Sequence, residues 1–236
     1  MARKAKKRLG TRTRIRILGA LLLVVLIGGG WAWWHLHHWI PLREEFPMQG
    51  VEVGAADGPV SFASLKAIGA DFAYIDASVS VFARDPRFVA NFENARAAGM
   101  QVGAVHRYDP CQPAGQQAAN FVTTVPRDPA LLPPAIELDM LADTCPIKVT
   151  DAKVESELMT FLNQVETHTG KPTVLKITEP FEERYRIARK LDRNLWLVSE
   201  RVQPDYAGRP WTLWTANTAL ANEVSDQGLR WVVVQP

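Results

Sequence analysis

Two carboxylates stand two residues apart in the run Pro134-Ala-Ile-Glu-Leu-Asp-Met140, flanked by apolar side chains. Side chains alternate faces along a strand, so Glu137 and Asp139 are expected on one side with Ile136, Leu138 and Met140 on the other. Apolar surroundings penalise an ionised carboxylate, and a second one beside it penalises it further, so such a pair reads as a site. Glycoside hydrolysis asks for two carboxyl groups in unlike protonation states a few ångströms apart. Metal binding and a salt-bridged core, with Arg107 or Lys176 as neutralising partners, are the competing readings.

The elements that must position this pair form an alternating series. Candidate strands are Val51 to Ala55, Phe72 to Ser78, Gln101 to Tyr108, Ala135 to Met140, Thr173 to Ile177 and Leu195 to Ser199. Helical patterns fall between them at Ser61 to Ile68, Pro86 to Ala98, Gly115 to Val125, Asp151 to Thr169 and Pro180 to Leu191. The second helix is expected to be capped by Asp85 with Pro86 at its first position, and the fourth buries Val154, Leu158, Phe161, Leu162 and Val165 at helical period before Gly170. Trp211 to Trp214 and Trp231 to Val234 follow as strands without helices. Strand and helix alternation predicts parallel βαβ units, and eight strands with five helices predict a TIM-like barrel of the (β/α)5(β)3 kind, whose C-terminal strand ends carry the chemistry.

The N-terminus carries an address. Before Pro41 the chain has eight Lys and Arg and no acid, followed by an uncharged run from Ile17 to Ile40. That run is long enough to span a bilayer, and the basic residues before it predict an N-terminus held in the cytoplasm. Trp31, Trp33, Trp34 and Trp39 with His35, His37 and His38 resemble an interfacial belt, and the three His lack acidic or Cys partners for a metal. A cleaved signal peptide is the rival, with Leu21 to Ile27 as its core. The expected organisation is a basic cytoplasmic segment (1–16), a transmembrane signal anchor (17–40), a linker (41–48) and a barrel domain (49–236) in the periplasm or outside, on the inner membrane. Beyond the anchor 19 of the 27 basic residues face all 25 acids, a net charge of −6, which argues against nucleic acid as a partner. Cys111 and Cys145 fall in adjacent loops after the third and fourth strands. Outside the cytoplasm they are expected to form a disulfide closing a loop of 34 residues, stabilising by about 3–4 kcal/mol. No cofactor or metal is expected.

From Gly50 to about Trp214 the chain resembles glycoside hydrolase family 25, the muramidases that cut peptidoglycan. The landmarks come in the family's order: Gly50-Val-Glu-Val53 for G-V-D-V, Gly103-Ala-Val-His-Arg-Tyr108 for G-x-Y-H-x-Y, and Pro134-Ala-Ile-Glu-Leu-Asp139 for P-x-x-D-x-E. Asp85-Pro-Arg-Phe88, Ala119-Asn-Phe121 and Thr169-Gly-Lys-Pro172 add to them. The departures are specific. Asp and Glu are exchanged at 137 and 139, Glu52 replaces Asp, Asp76-Ala-Ser-Val-Ser80 stands for K-A-T-E-G, Trp214-Thr-Ala216 for W-Q-Y, and Arg230 occupies an acidic position.

The resemblance implies Asp139 as proton donor, Glu137 as the ionised partner and Glu52 as a third carboxylate lining the cleft, with lengthened and shortened side chains compensating one another. Asp76, at a strand end, is expected to contact substrate. His106 is either a core histidine or a substrate contact, and Tyr108, Trp196 and Trp214 either stack on sugars or belong to the core. The expected activity is cleavage of the peptidoglycan glycan strand; a catalytically inactive relative that binds the wall or a wall partner is the alternative.

Overall fold

The computed structural model describes residues 11–222, 224–225 and 227–236. The basic residues expected in the cytoplasm are therefore largely outside the described residues. The chain divides into two units, Met1–Trp39 and Ile40–Pro236.

Among its described residues the first unit holds one helix, α1 (Thr11–His37). Its part from Arg16 to His37 is long and apolar enough to cross a membrane, a test that a signal sequence near the N-terminus also passes. Each His of the aromatic end packs against the Trp one turn before it: His35 and His38 stack on Trp31 and Trp34, and His37 lies tilted against Trp33.

The second unit is the barrel. Its strands are β1 (Gln49–Val53), β2 (Phe72–Val79), β3 (Ala83–Arg84), β4 (Gln101–Arg107), β5 (Ala135–Leu138), β6 (Val174–Ile177), β7 (Asn194–Val198), β8 (Leu213–Leu220) and β9 (Leu229–Val234). Eight of them run in the order β1-β9-β8-β7-β6-β5-β4-β2, and β2 pairs back to β1 to close the ring; β3 is a two-residue strand hung on the edge of β2. All eight are parallel to their neighbours except β9, which is antiparallel to both β8 and β1. The crossovers carry α2 (Phe62–Ala67), α3 (Phe88–Ala97), α4 (Ala114–Thr124), α5 (Asp151–Thr169), and α6 (Glu179–Tyr185) with α7 (Ile187–Lys190). The expected fifth helix is thus broken, at Arg186, whose φ of 53° lies in the left-handed region. The second begins at Phe88 rather than Pro86, because Asp85 accepts the Arg87 amide in a turn of its own.

Alternation along the strands fills the barrel in layers. Phe72, Tyr74, Val105, Ala135, Val174, Trp196, Leu213 and Val232 make an apolar inner layer. Two glycines make room for its rings. A Cβ on Gly50 would lie 2.4 Å from the Phe72 carbonyl oxygen, and one on Gly103 would lie 2.3 Å from the Tyr74 ring. The segment expected as a linker is folded against this unit. Phe46 is buried and packs against Trp211 and Trp214, and the Gln49 side chain donates to the carbonyls of Pro41 and Phe46. Cys111 and Cys145 are joined in a disulfide across 34 residues.

Gly103→Ala is expected to lower stability by about 1–3 kcal/mol through overpacking. Gly115→Ala, on α4 with nothing closer than 3.8 Å to the added Cβ, is expected to be neutral or stabilising. Thermal unfolding of the two variants checks the contrast, at roughly 2–4 °C per kcal/mol for a domain of this size.

Candidate functional site

One step above the apolar layer, at the C-terminal ends of the parallel strands, the inward positions become charged. Glu52 on β1, Asp76 on β2, Arg107 on β4, Glu137 on β5 and Lys176 on β6 each lie two residues beyond an inward apolar or glycine position. Because β9 runs the other way, Arg230 near its start arrives at the same end and pairs in register with Glu52.

Lys176 is the hub. Its Nζ donates to both oxygens of Glu52 at 2.6 and 2.7 Å and to Glu137 Oε1 at 2.6 Å. It also sits 5.2 Å from the Trp196 ring centroid, so the apolar layer supports the ammonium from below through a cation–π contact. Arg230 completes the ring, giving Nη1 to Glu52 at 3.0 Å and Nη2 to Asp57 at 3.0 Å and Asp76 at 2.9 Å. Asp57 in turn accepts the Gly54 amide at 2.6 Å. A Cβ on Gly54 would lie 2.1 Å from Asp76 Oδ2, so glycine there lets the Asp76 carboxyl rest on the β1 backbone.

Burial and charge then set the proton affinities apart. Burial pushes the Glu52 carboxyl up, but Arg230 and Lys176 outweigh it and hold it below the usual range. Burial dominates at Asp76 and, with the neighbouring Glu52 charge, pushes it up to about 6 despite Arg230. Lys176 is held above its ordinary value: burial opposes its charge, and Glu52 and Glu137 overcome that.

The expected residues fall into three groups. Asp76 and Glu137, with Ser78, Arg84, Arg107 and Arg230, line an open cleft of about 290 Å³. Glu52 does not line it; its side chain is 0% exposed and lies behind Lys176 and Arg230. Asp139, one residue past the end of β5, accepts from the Arg107 guanidinium with both oxygens, from Nε at 3.0 Å and from Nη2. A proton on that carboxyl would disrupt the two-point pair. The basic partners weighed in the core reading are therefore both engaged, one to each acid of the pair. With Lys176 and Arg230 holding the carboxylate oxygens, the cluster is not arranged for a metal ion, and no metal-ligating cluster occurs among the described residues.

The third group is core. His106 is buried between Ser78 and Gln117 and stacks on Phe161, and burial lowers it to about 4, so it is neutral. Tyr108 is buried with its hydroxyl unpartnered. Trp196 lies under Lys176 and donates to Thr215 Oγ1 at 2.8 Å. Trp214 is buried against Phe46 and Trp211, its indole donating to the Ser199 carbonyl. None of the four offers a face to a sugar. Lys176 and Arg230 are the members of this cluster that pattern reading undervalued. The available signal was a single charge inside an otherwise apolar strand, in Val174-Leu-Lys-Ile177 and in Leu229-Arg-Trp-Val232.

Residues 51–219 match the model of the glycosyl hydrolases family 25. The barrel superposes on a family 25 glycosyl hydrolase from Bacillus anthracis with a TM-score of 0.77 at 26% identity, covering 86% of this chain and 94% of that one. It superposes on a bacterial lysozyme from Streptomyces coelicolor with a TM-score of 0.70 at 21% identity, covering 80% and 92%. In sequence the chain is 32% identical to Lysozyme M1 of Streptomyces globisporus over 96 residues, 39% of this chain and 33% of that protein. It is 26% identical to the uncharacterized protein YegX of Escherichia coli K12 over 145 residues, 61% and 51%. The chain thus spans a third to a half of the length of these curated relatives. It belongs to glycosyl hydrolase family 25, and its fold is that of the family's lysozymes and muramidases.

Two measurements test the charge layer. Lys176→Met takes the closer of two cations from a fully buried Glu52 carboxylate and leaves Arg230 alone to hold it, and is expected to cost up to about 3–5 kcal/mol. Adding Glu52→Gln should recover part of that loss in urea unfolding. The second is pH. Asp76 titrates near 6 folded against 3.8 in its ordinary state, so between those values the folded chain holds a proton that the unfolded chain has released. Stability from this group is complete below about pH 4 and is lost as pH rises through 6. In thermal scans Asp76→Asn is expected to remove that decline.

Proposed function

We propose that the protein is a membrane-anchored hydrolase that cuts the glycan strand of peptidoglycan, with its barrel on the outer side of the cytoplasmic membrane. The reading rests on one observation above others: the family's barrel sets Asp76 and Glu137 on the walls of a single open cleft at its C-terminal end. Glu137 serves as the ionised carboxylate beside the sugar, stabilising the positive charge that develops at the anomeric carbon. Glu52 stands one layer behind and fixes Lys176 and Arg230. Asp139 orients Arg107 at the rim. The apolar helix supports the anchor, and the basic residues preceding it support a cytoplasmic N-terminus.

A second reading, wall binding without turnover, is favoured by a specific feature. Both acids near the end of β5 are paired to cations, Glu137 to Lys176 and Asp139 to Arg107. Full-length protein in detergent, incubated with purified peptidoglycan, separates the two. New reducing ends, reduced roughly 100-fold or more in Glu137→Gln, support the hydrolase. Sedimentation with the wall and no new reducing ends establishes the binding protein.

A further inference from the structure

We propose that Asp76, and not Asp139, is the group that delivers the proton to the glycosidic oxygen; the inference rests on the hydrolase reading above. Asp76 is on the wall of the cleft, beside Ser78, Arg107, Glu137 and Arg230. The Asp76 side chain is 29% exposed, enough for a glycosidic oxygen to reach it, while its other surroundings are protein. The groups facing it from each neighbouring element are Glu52 on β1, Asp57 in the turn after it, Arg107 on β4, Glu137 on β5, Lys176 on β6 and Arg230 on β9. Glu52 is the decisive neighbour. It is buried, held by Lys176 and Arg230, and shares the Arg230 guanidinium with the Asp76 carboxyl. Two carboxyls brought this close oppose a second negative charge, and Lys176 and Arg230 place the charge on Glu52, so the proton resides on the member that faces the cleft.

The pairing of the two acids supports the assignment. Asp76 accepts from Arg230 through Oδ2, at 2.9 Å, and stands on β2 at the cleft wall. At the 139 position, in contrast, both carboxyl oxygens are held by Arg107.

In the proposed step the Asp76 O–H bond breaks and its proton bonds to the glycosidic oxygen as the bond from that oxygen to the anomeric carbon breaks. The leaving sugar departs as an alcohol, and Asp76 is left as a carboxylate. The electron-poor anomeric carbon is stabilised by Glu137. A water then adds there, and the proton it loses restores Asp76, so the site returns to its starting state.

The test uses full-length protein in detergent and purified peptidoglycan, with reducing ends measured from pH 4 to 8. Asp76→Asn is expected to lose roughly 100-fold or more of kcat/KM, while Asp139→Asn keeps at least about a tenth. In the wild type kcat/KM should fall above about pH 6 by about tenfold per pH unit. Asp76→Glu, which restores an acid one methylene longer, should recover part of the loss and shift the descending limb. Thermal unfolding of each variant distinguishes a lost proton from a lost fold. An Asp76→Asn protein that is folded and retains more than a tenth of wild-type activity overturns the assignment while leaving the hydrolase reading intact. An inactive wild type overturns the hydrolase reading and this assignment with it.

Discussion

The active end of this barrel depends on the ammonium of Lys176 bonded to Glu52 in a place without solvent. Neither group can be there alone, because a single unpaired charge at that depth costs several kcal/mol. Together they fix their neighbours: with Lys176 engaged by Glu52, Glu137 is drawn to its remaining N–H, and Arg230 closes on Glu52 as well. Trp196 matters here as support, since its ring lies beneath the ammonium and fills the layer that would otherwise admit water. The aromatics that a sugar-binding cleft suggests are thus used one layer deeper, to keep a cation dry and in position.

Such a network does little for stability, since buried ion pairs are often matched or exceeded by apolar residues of the same volume. Its retention in this chain has a better explanation in geometry. Gly54 lets Asp76 lie on the backbone, Asp57 holds the Gly54 amide, and Arg230 ties Asp57 and Asp76 together. Each of these residues restricts where the Asp76 carboxyl can point.

Much of the scaffold was legible in the sequence because it obeys short-range rules. The bounds of α5 follow from a threonine cap, a helical apolar period and a left-handed glycine at 170, and the five crossovers and three trailing strands follow from alternating periods of 3.6 and 2. The disulfide pairing also followed, because adjacent parallel strands place their following loops side by side. What was not legible depends on closure. Glu52 and Arg230 are 178 residues apart and meet only because β9 inserts antiparallel beside β1. Phe46 looked like part of a tether, and only the packing of Trp211 and Trp214 shows that the barrel extends to it.

The sign of the charge left over bears on what the site is for. Around the hub stand four acids, Glu52, Asp57, Asp76 and Glu137, against two cations, Lys176 and Arg230, while Asp139 and Arg107 cancel at the rim. Even with a proton on Asp76 the layer keeps an excess negative charge in a setting where charge is expensive. A surface that only gripped a neutral sugar would gain nothing from that excess, since hydrogen bonds to hydroxyls serve equally well from neutral groups. A cleavage site does gain, because the sugar becomes cationic as its bond breaks, and a preformed negative field in a low-dielectric layer stabilises that state more than the intact glycan. The pairing with cations therefore does not by itself argue for an inert site. It holds the carboxylates in place while leaving the balance of charge on the side that glycoside hydrolysis requires.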